Sequence, residues 1–144
     1  MYKILVINGP SLNLLGIREP HLYGSESLIE INENLEKSFK DTCSLSFFQS
    51  NHEGDIVSSI HEAREGFSGL VINAAAYSHT SYAIADAISA ISKPCVEVHL
   101  TNVYKREEFR QKSLIANLCL GQISGFGSYS YNLAIRALLN HLNH

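Results

Sequence analysis

The sequence predicts an α/β fold in which a parallel β-sheet is covered by helices on both faces. Short apolar segments alternate with segments whose apolar residues recur every three to four positions. Residues 69–73 (GLVIN) show no polar alternation, which is typical of a strand buried on both faces. The chain has 144 residues, enough for a sizeable core, and we expect a single domain over residues 1–144.

The first half of the chain predicts two strand–helix units. Residues 3–8 (KILVIN) form an apolar run that ends at Gly-Pro, as expected of a buried strand followed by a turn. Over residues 26–41 the apolar side chains are spaced three and four apart, which predicts a helix. Ser27 and Glu30 fit a capping box at the start of that helix. The next strand and helix are predicted over residues 44–49 and 54–66.

The second half predicts three further strands. Residues 80–92 form a helix rich in small residues, which Pro94 ends, and residues 103–113 are charged and partly helical. The remaining strands are expected at residues 69–73, 95–99 and 118–124, and the final amphipathic helix at residues 128–142. Five βα units in a chain of this length favour a flavodoxin-like three-layer sandwich, with a five-stranded parallel sheet in the order 2-1-3-4-5.

The composition argues against several classes of partner. The net charge is -3 and no basic run occurs, which argues against binding to nucleic acid. No apolar run is long enough to span a bilayer, and no secretory signal is present, so we expect no membrane contact. The three widely spaced cysteines, Cys43, Cys95 and Cys119, are read as free thiols in a reducing compartment, hence a cytoplasmic protein.

Familiar cofactor and nucleophile motifs are missing. The sequence contains no GxGxxG after the first strand, no GxxxxGK[ST] and no GxSxG. No histidine or cysteine cluster has the spacing of a zinc site. We therefore expect a site that uses neither a metal nor an organic cofactor.

Polar and charged side chains gather where the predicted strands end. In doubly wound sheets the functional site lies beyond the carboxyl ends of the strands. Side chains that can bind a ligand or take part in a reaction lie at or just after three of these ends. They are Asn8, Ser11 and Asn13 at the first strand, Asn73, Ser78 and His79 at the third, and His99, Thr101 and Asn102 at the fourth.

The loop GIREPHLYG, between Gly16 and Gly24, carries Arg18 and Tyr23. A guanidinium beside a phenol stabilises the phenolate, and a phenolate is a competent general base. The flanking glycines would allow this loop to close over a site as a lid. The alternative is an ordinary surface loop.

Glu97 and His99 are two residues apart on one strand, so their side chains share a face. A carboxylate there would orient and charge the imidazole and make it a better acid; the alternative is a histidine with a purely structural hydrogen bond. Arg106 and Arg110 have the spacing of one helix face, which suits either an anion clamp or a solvated salt-bridged surface.

With these residues in place, the chain resembles the type II 3-dehydroquinate dehydratases. The matching segments are VINGPSLNLLGIREPHLYG, NAAAYSHTS, AIADA, VEVHLTNVYKREEFR and GFGSYSYNLA, which cover nearly the whole chain in order. The resemblance implies a hydro-lyase that reversibly dehydrates 3-dehydroquinate to 3-dehydroshikimate through an enolate, by anti elimination without a cofactor. It also implies a homododecamer built as a tetramer of trimers.

The resemblance implies a role for each matched residue. Tyr23 would be the proton acceptor, Arg18 its phenolate partner, and His99 the proton donor, supported by Glu97. Asp86 would reach the site of a neighbouring subunit. The other positions implied to bind substrate are Asn73, His79, Leu100, Thr101 and Arg110.

Three positions depart from the family pattern. Ser11 stands where the family usually has an asparagine that helps to bind a water beside the enolate; serine keeps a hydroxyl donor, but its side chain is shorter and reaches less far towards the enolate. Leu114 replaces a common tyrosine, which predicts altered packing of residues 113–119, and Gln122 replaces an apolar strand residue. A flavodoxin-like module that binds flavin or another metabolite without catalysis is the alternative function.

Overall fold

The computed structural model describes residues 1–144 and contains one fully parallel sheet in the order β2-β1-β3-β4-β5. The strands are β1 (Tyr2–Asn8), β2 (Cys43–Gln49), β3 (Gly69–Asn73), β4 (Cys95–His99) and β5 (Gly121–Ser124). The helices are α1 (Pro20–Tyr23), α2 (Leu28–Phe39), α3 (Glu53–Glu62), α4 (Tyr82–Ile91) and α5 (Tyr129–Leu142). None of these helices combines the length and the apolar character needed to cross a membrane. The predicted fold class and strand order are confirmed.

The strands alternate their side chains between two apolar layers. In β1, Ile4 and Val6 join the buried cluster formed with α2 and α5, whereas Leu5 and Ile7 join the cluster formed with α3 and α4. Because successive side chains of a strand point to opposite faces, a continuous apolar run serves both layers at once. The sheet is therefore the middle layer of a three-layer sandwich.

Local signals start two of the helices. The Ser27 hydroxyl accepts a hydrogen bond from the Glu30 amide at 3.1 Å, and the Glu30 carboxylate accepts one from the Ser27 amide at 3.4 Å. This is the predicted capping box at the start of α2. Ser81 caps α4 through a single bond, in which its hydroxyl accepts from the Ile84 amide at 3.0 Å.

Residues 103–113 were predicted to be partly helical, with Arg106 and Arg110 on one helix face, and the structure differs in the second point. They form two short 3₁₀ turns, Val103–Lys105 and Glu108–Gln111, and Arg106 between them is extended, with φ −113° and ψ −169°. The Asn102 side chain accepts a hydrogen bond from the Tyr104 amide, and the following amides bond three residues back, which closes a single tight turn. Arg106 and Arg110 therefore do not share a helix face.

One helix and one strand also have boundaries that differ from the prediction. The helix predicted to residue 66 ends at Glu62, because the Arg64 and Glu65 amides bond to carbonyls three residues back instead of four and tighten the last turn. The strand predicted from residue 118 begins at Gly121, because Ala116–Leu118 form a 3₁₀ turn. Gln122 lies in this edge strand and is exposed, which suits a polar side chain there.

Gly9 allows the ends of two neighbouring strands to meet at backbone distance. Its amide donates to the Asn73 carbonyl at 2.8 Å, and a Cβ at this position would lie 2.5 Å from the Ala74 carbonyl oxygen. Only glycine fits without displacing that backbone. The contact fixes the spacing between the segments that follow β1 and β3.

We expect Gly9→Ala to lower the free energy of unfolding by about 1–3 kcal/mol, the usual cost of forcing extra volume into a packed site. The matched control is Gly54→Ala in α3, where an added Cβ meets nothing within 4 Å; alanine should be neutral or slightly stabilising in a helix. Urea unfolding of both variants measures the difference, and equal stability of the two would contradict this role for Gly9.

Candidate active site

A pocket opens at the carboxyl ends of β1, β3 and β4 and encloses about 650 Å³, counting the space at its mouth. Every residue assigned to the site from the sequence lines it, except Glu97 and Asp86. The lining residues that were predicted are Ser11, Arg18, Tyr23, Asn73, His79, His99, Leu100, Thr101 and Arg110. The size is that of a small-molecule site.

The segment between Gly16 and Gly24 forms one wall of the pocket. Both glycines have positive φ, near 90°, and Tyr23 is the last residue of the one-turn helix α1 between them. The Tyr23 hydroxyl accepts a hydrogen bond of 2.8 Å from Nη1 of Arg106, which also donates to Thr101 Oγ1 at 3.3 Å. Arg106 therefore connects the Tyr23 hydroxyl to Thr101, which follows β4.

Arg18 and Arg106 both lie close to the Tyr23 ring. Its guanidinium carbon lies 5.0 Å from the centre of the Tyr23 ring, and that of Arg106 lies 5.3 Å from it. The hydrogen bond to the phenol oxygen is made by Arg106. Sequence reasoning noticed Arg106 only as a partner of Arg110, because a contact between positions 83 residues apart leaves no local signal.

Glu97 and His99 form a buried pair beneath the pocket. His99 Nε2 lies 2.6 Å from Glu97 Oε2, and the glutamate has no exposed surface. Because Nε2 faces the carboxylate, Nδ1 is the ring nitrogen that remains for a ligand. His99 itself lines the pocket, so the pair presents one imidazole nitrogen to it.

His79 stacks beside His99, with ring centres 6.0 Å apart. Its Nδ1 lies 2.8 Å from the Lys112 carbonyl, which can only accept, so Nδ1 carries the hydrogen and Nε2 is an acceptor. Burial lowers the pKa of His79, an effect that this carbonyl partly offsets and that the charges of His99 and Arg110 reinforce. His79 is therefore a neutral hydrogen-bonding group in the pocket wall.

A hydrogen-bond chain sets the orientation of Asn73. Its Nδ2 donates to the Tyr131 hydroxyl at 3.0 Å, and its Oδ1 accepts from the Ala75 amide at 3.1 Å. Tyr131 in turn donates to Asn8, and burial raises the pKa of Tyr131 above its usual range, which keeps the donor in place. The sequence did not indicate Tyr131, which lies in α5 within an ordinary apolar pattern.

The turn after β1 holds Ser11 in a left-handed conformation, with φ 68°. Its amide donates to Oδ1 of Asn51 at 3.0 Å, and Gln49 donates to the same oxygen at 3.2 Å. Asn51, after β2, was not predicted to support the site. The Ser11 side chain makes no hydrogen bond within the chain and lines the pocket.

Two other predicted residues have distinct surroundings. Arg110 lines the pocket and pairs through Nε with Glu107 at 2.5 Å, which lowers the pKa of that exposed carboxyl. Asp86 is exposed on α4 and is not among the lining residues. No cluster of three or more His, Cys, Asp or Glu side chains is arranged to hold a metal ion.

Residues 2–139 match the family model described as dehydroquinase class II. The chain belongs to the class II dehydroquinase family. The family and enzyme class expected from the sequence, a hydro-lyase of the type II 3-dehydroquinate dehydratases, are confirmed.

Individual class II dehydroquinases resemble this one closely. A 3-dehydroquinate dehydratase of Acaryochloris marina (strain MBIC 11017) is 56% identical over 143 residues, which cover 97% of this chain and 95% of that protein. The crystal structure of a type II dehydroquinase from Butyrivibrio crossotus DSM 2876 superposes with a TM-score of 0.93 at 46% identity, covering 95% and 97% of the two chains. A type II dehydroquinase from Propionibacterium acnes gives 0.93 at 37% identity, covering 97% of each chain.

Proposed function

We propose that the enzyme reversibly removes water from 3-dehydroquinate to give 3-dehydroshikimate, by anti elimination through an enolate and without a metal or organic cofactor. The observation that carries the proposal is that Tyr23 on the lid and His99 on β4 open onto one pocket. Its relatives bear the name 3-dehydroquinate dehydratase. The reaction is the third step of the shikimate pathway, which leads to the aromatic amino acids, and we place the enzyme in the cytoplasm, where its three free thiols would stay reduced.

Tyr23 is the base that removes the C2 proton. Its oxygen accepts from Arg106, and because an arginine can only donate, this hydrogen bond persists when the phenol loses its proton. Arg18 adds a second cation over the ring. Both arginines thus support the phenolate, with Arg106 at the oxygen and Arg18 at the ring face.

The enolate forms at the ketone next to the deprotonated carbon. We assign Ser11, through a water molecule, to this developing negative charge. The assignment is supported by the Ser11 side chain, which lines the pocket and makes no hydrogen bond within the chain.

His99 is the acid that protonates the departing C1 hydroxyl. Its Nδ1 is the nitrogen left free by Glu97, which holds Nε2. The adjacent carboxylate stabilises the positive charge of the imidazolium, which then gives up its Nδ1 proton to the leaving hydroxyl. Base and acid would act on opposite faces of the ring, as an anti elimination requires.

The remaining pocket residues would hold the substrate. Asn73 and neutral His79 suit its hydroxyl groups, and Arg110 adds a cation to the lining of the pocket. The amides of Leu100 and Thr101 would bind the carboxylate, since neither donates to a carbonyl of the chain.

Asp86 would complete the site of a neighbouring subunit in a homododecamer, a tetramer of trimers. In support, Tyr82, Ala83 and Asp86 form an exposed face of α4, and the Tyr82 residue is 73% exposed. A large aromatic one turn from a carboxylate is a surface suited to contact with another subunit.

Tyr23→Phe should lower kcat by roughly 10²–10⁴-fold, the usual contribution of a general base, while leaving the fold intact. The measurement is the absorbance of the conjugated enone product in the presence of a chelator. Tyr104→Phe, at a 67% exposed tyrosine outside the pocket, is the matched control and should keep wild-type activity. Full activity in Tyr23→Phe would reject Tyr23 as the base, whereas a folded wild-type protein that forms no enone product, or that carries a bound flavin, would favour the binding-module alternative.

Ser11→Asn should raise kcat/KM up to roughly tenfold, because the longer amide reaches further towards the enolate. Asparagine also tolerates the left-handed conformation of this position, with φ 68°, better than serine does. Ser11→Ala, which removes the hydroxyl, should change kcat/KM in the opposite direction. A lower kcat/KM in Ser11→Asn would mean that this position does not face the enolate.

Asp86→Ala should lower kcat/KM. A neighbouring subunit that keeps Asp86 should restore the activity of a site whose own chain carries Asp86→Ala. Co-expressed Asp86→Ala and Tyr23→Phe chains would form some sites with an intact Tyr23 from one chain and an intact Asp86 from its neighbour. Random mixing of two chains in a closed ring predicts recovery of about a quarter of wild-type activity. If the mixed oligomers are no more active than either parent, the shared site is ruled out.

A further inference from the structure

Ser113 makes four contacts beneath the pocket. Its hydroxyl lies 2.9 Å from Oε1 and 2.8 Å from Oε2 of Glu97. The same oxygen accepts hydrogen bonds from the amides of Ile115 at 3.2 Å and Ala116 at 3.1 Å. The serine thus joins the buried carboxylate to the backbone of the turn that follows it.

The two amides determine where the hydroxyl hydrogen points. A serine hydroxyl has one hydrogen and two lone pairs. Backbone N–H groups can only donate, and the amides of Ile115 and Ala116 therefore occupy both lone pairs. The remaining hydrogen must be donated to Glu97, which lies within 3 Å through both oxygens. Ser113 is therefore an obligatory donor, and Glu97 an obligatory acceptor.

The same carboxylate faces His99 on its other side. Glu97 Oε2 is 2.6 Å from His99 Nε2, and the glutamate has no exposed surface. Two arrangements of one proton are conceivable in this pair: a carboxylate accepting from an Nε2–H group, or a carboxylic acid donating to a bare Nε2. The hydroxyl of Ser113 favours the first, because a donor aimed at both oxygens stabilises the ionised carboxylate.

We propose that Ser113 is a positioning residue that keeps the shared proton on Nε2 of His99, so that Nδ1 is always the nitrogen that exchanges a proton with the substrate. The proposal rests on the proposed function, in which His99 is the acid. Through Glu97, Ser113 holds the imidazole in one tautomer and one orientation. Residues 113–116 thereby belong to the acid machinery, although only His99 reaches the pocket.

The first test is the tautomer of His99, measured by ¹⁵N NMR of the imidazole ring in the wild-type enzyme, with His99→Gln to assign the signals. At a pH where the ring is neutral, we expect the hydrogen on Nε2 and a lone pair on Nδ1. A wild-type spectrum with the hydrogen on Nδ1 would overturn the proposal without any further variant.

The second test compares Ser113→Ala with Ser113→Thr, which keeps the hydroxyl. In Ser113→Ala we expect a mixed tautomer signature, a fall in kcat of roughly tenfold or more with KM nearly unchanged, and an altered pH profile of kcat. Ser113→Thr should restore the Nε2–H signature and most of kcat. Loss of kcat in Ser113→Ala with an unchanged tautomer would assign Ser113 to the turn alone and reject the proposal.

The activity of His99→Gln separates this proposal from the proposed function. If His99→Gln keeps wild-type kcat, His99 is not the acid, whatever the NMR spectrum shows. If His99→Gln is inactive but Ser113→Ala keeps the wild-type tautomer and kcat, the acid assignment stands and the role of Ser113 fails.

Discussion

A fully buried carboxylate in the sheet is the constraint on which the rest of this site depends. Glu97 lies between Ile72 of β3 and Gln122 of β5, with no exposed surface. A buried charge is tolerated only when donors surround it, so its neighbours must be held in place. His99 and Ser113 supply those donors at 2.6 and 2.8 Å. The imidazole is consequently anchored to the buried sheet through Glu97, while His99 itself lines the pocket.

The two proposed proton-transfer groups are supported in different ways. His99 lies at the end of β4 and is held by its hydrogen bond to the buried Glu97. Tyr23 instead lies in a four-residue helix between two glycines of positive φ. Arg106, from the body of the protein, holds the Tyr23 oxygen at 2.8 Å. A rigid acid beneath a hinged base suits an enzyme that must admit its substrate and then exclude water. The contact between Arg106 and Tyr23 therefore joins the lid to the segment that follows β4.

The parallel sheet also explains why an apolar interior contains such a polar rim. β1, β3 and β4 are apolar over most of their lengths and end in Asn8, Asn73 and His99, which the common strand direction brings to one edge. Tyr131 reaches this edge from α5 and joins the two asparagines by hydrogen bonds. Helix α5 thus stabilises the sheet through apolar packing and orients Asn73 through a single hydroxyl. Within this chain the Tyr131 hydroxyl and both polar side-chain atoms of Asn73 have hydrogen-bond partners, whereas Nδ2 of Asn8 is buried without one.

The architecture could be predicted from the sequence, because strand and helix periodicity and the capping box of α2 are local properties of neighbouring residues. It also placed Tyr23, Asn73, His79 and His99 at the correct edge, since the direction of parallel strands decides which residues meet there. Which arginine bonds to the Tyr23 oxygen became visible in the folded chain alone, because Arg106 is 83 positions away and is an extended residue that no periodicity marks. The same holds for Ser113 and Tyr131: their importance comes from hydrogen bonds to distant residues, and one chain's sequence carries no record of such contacts.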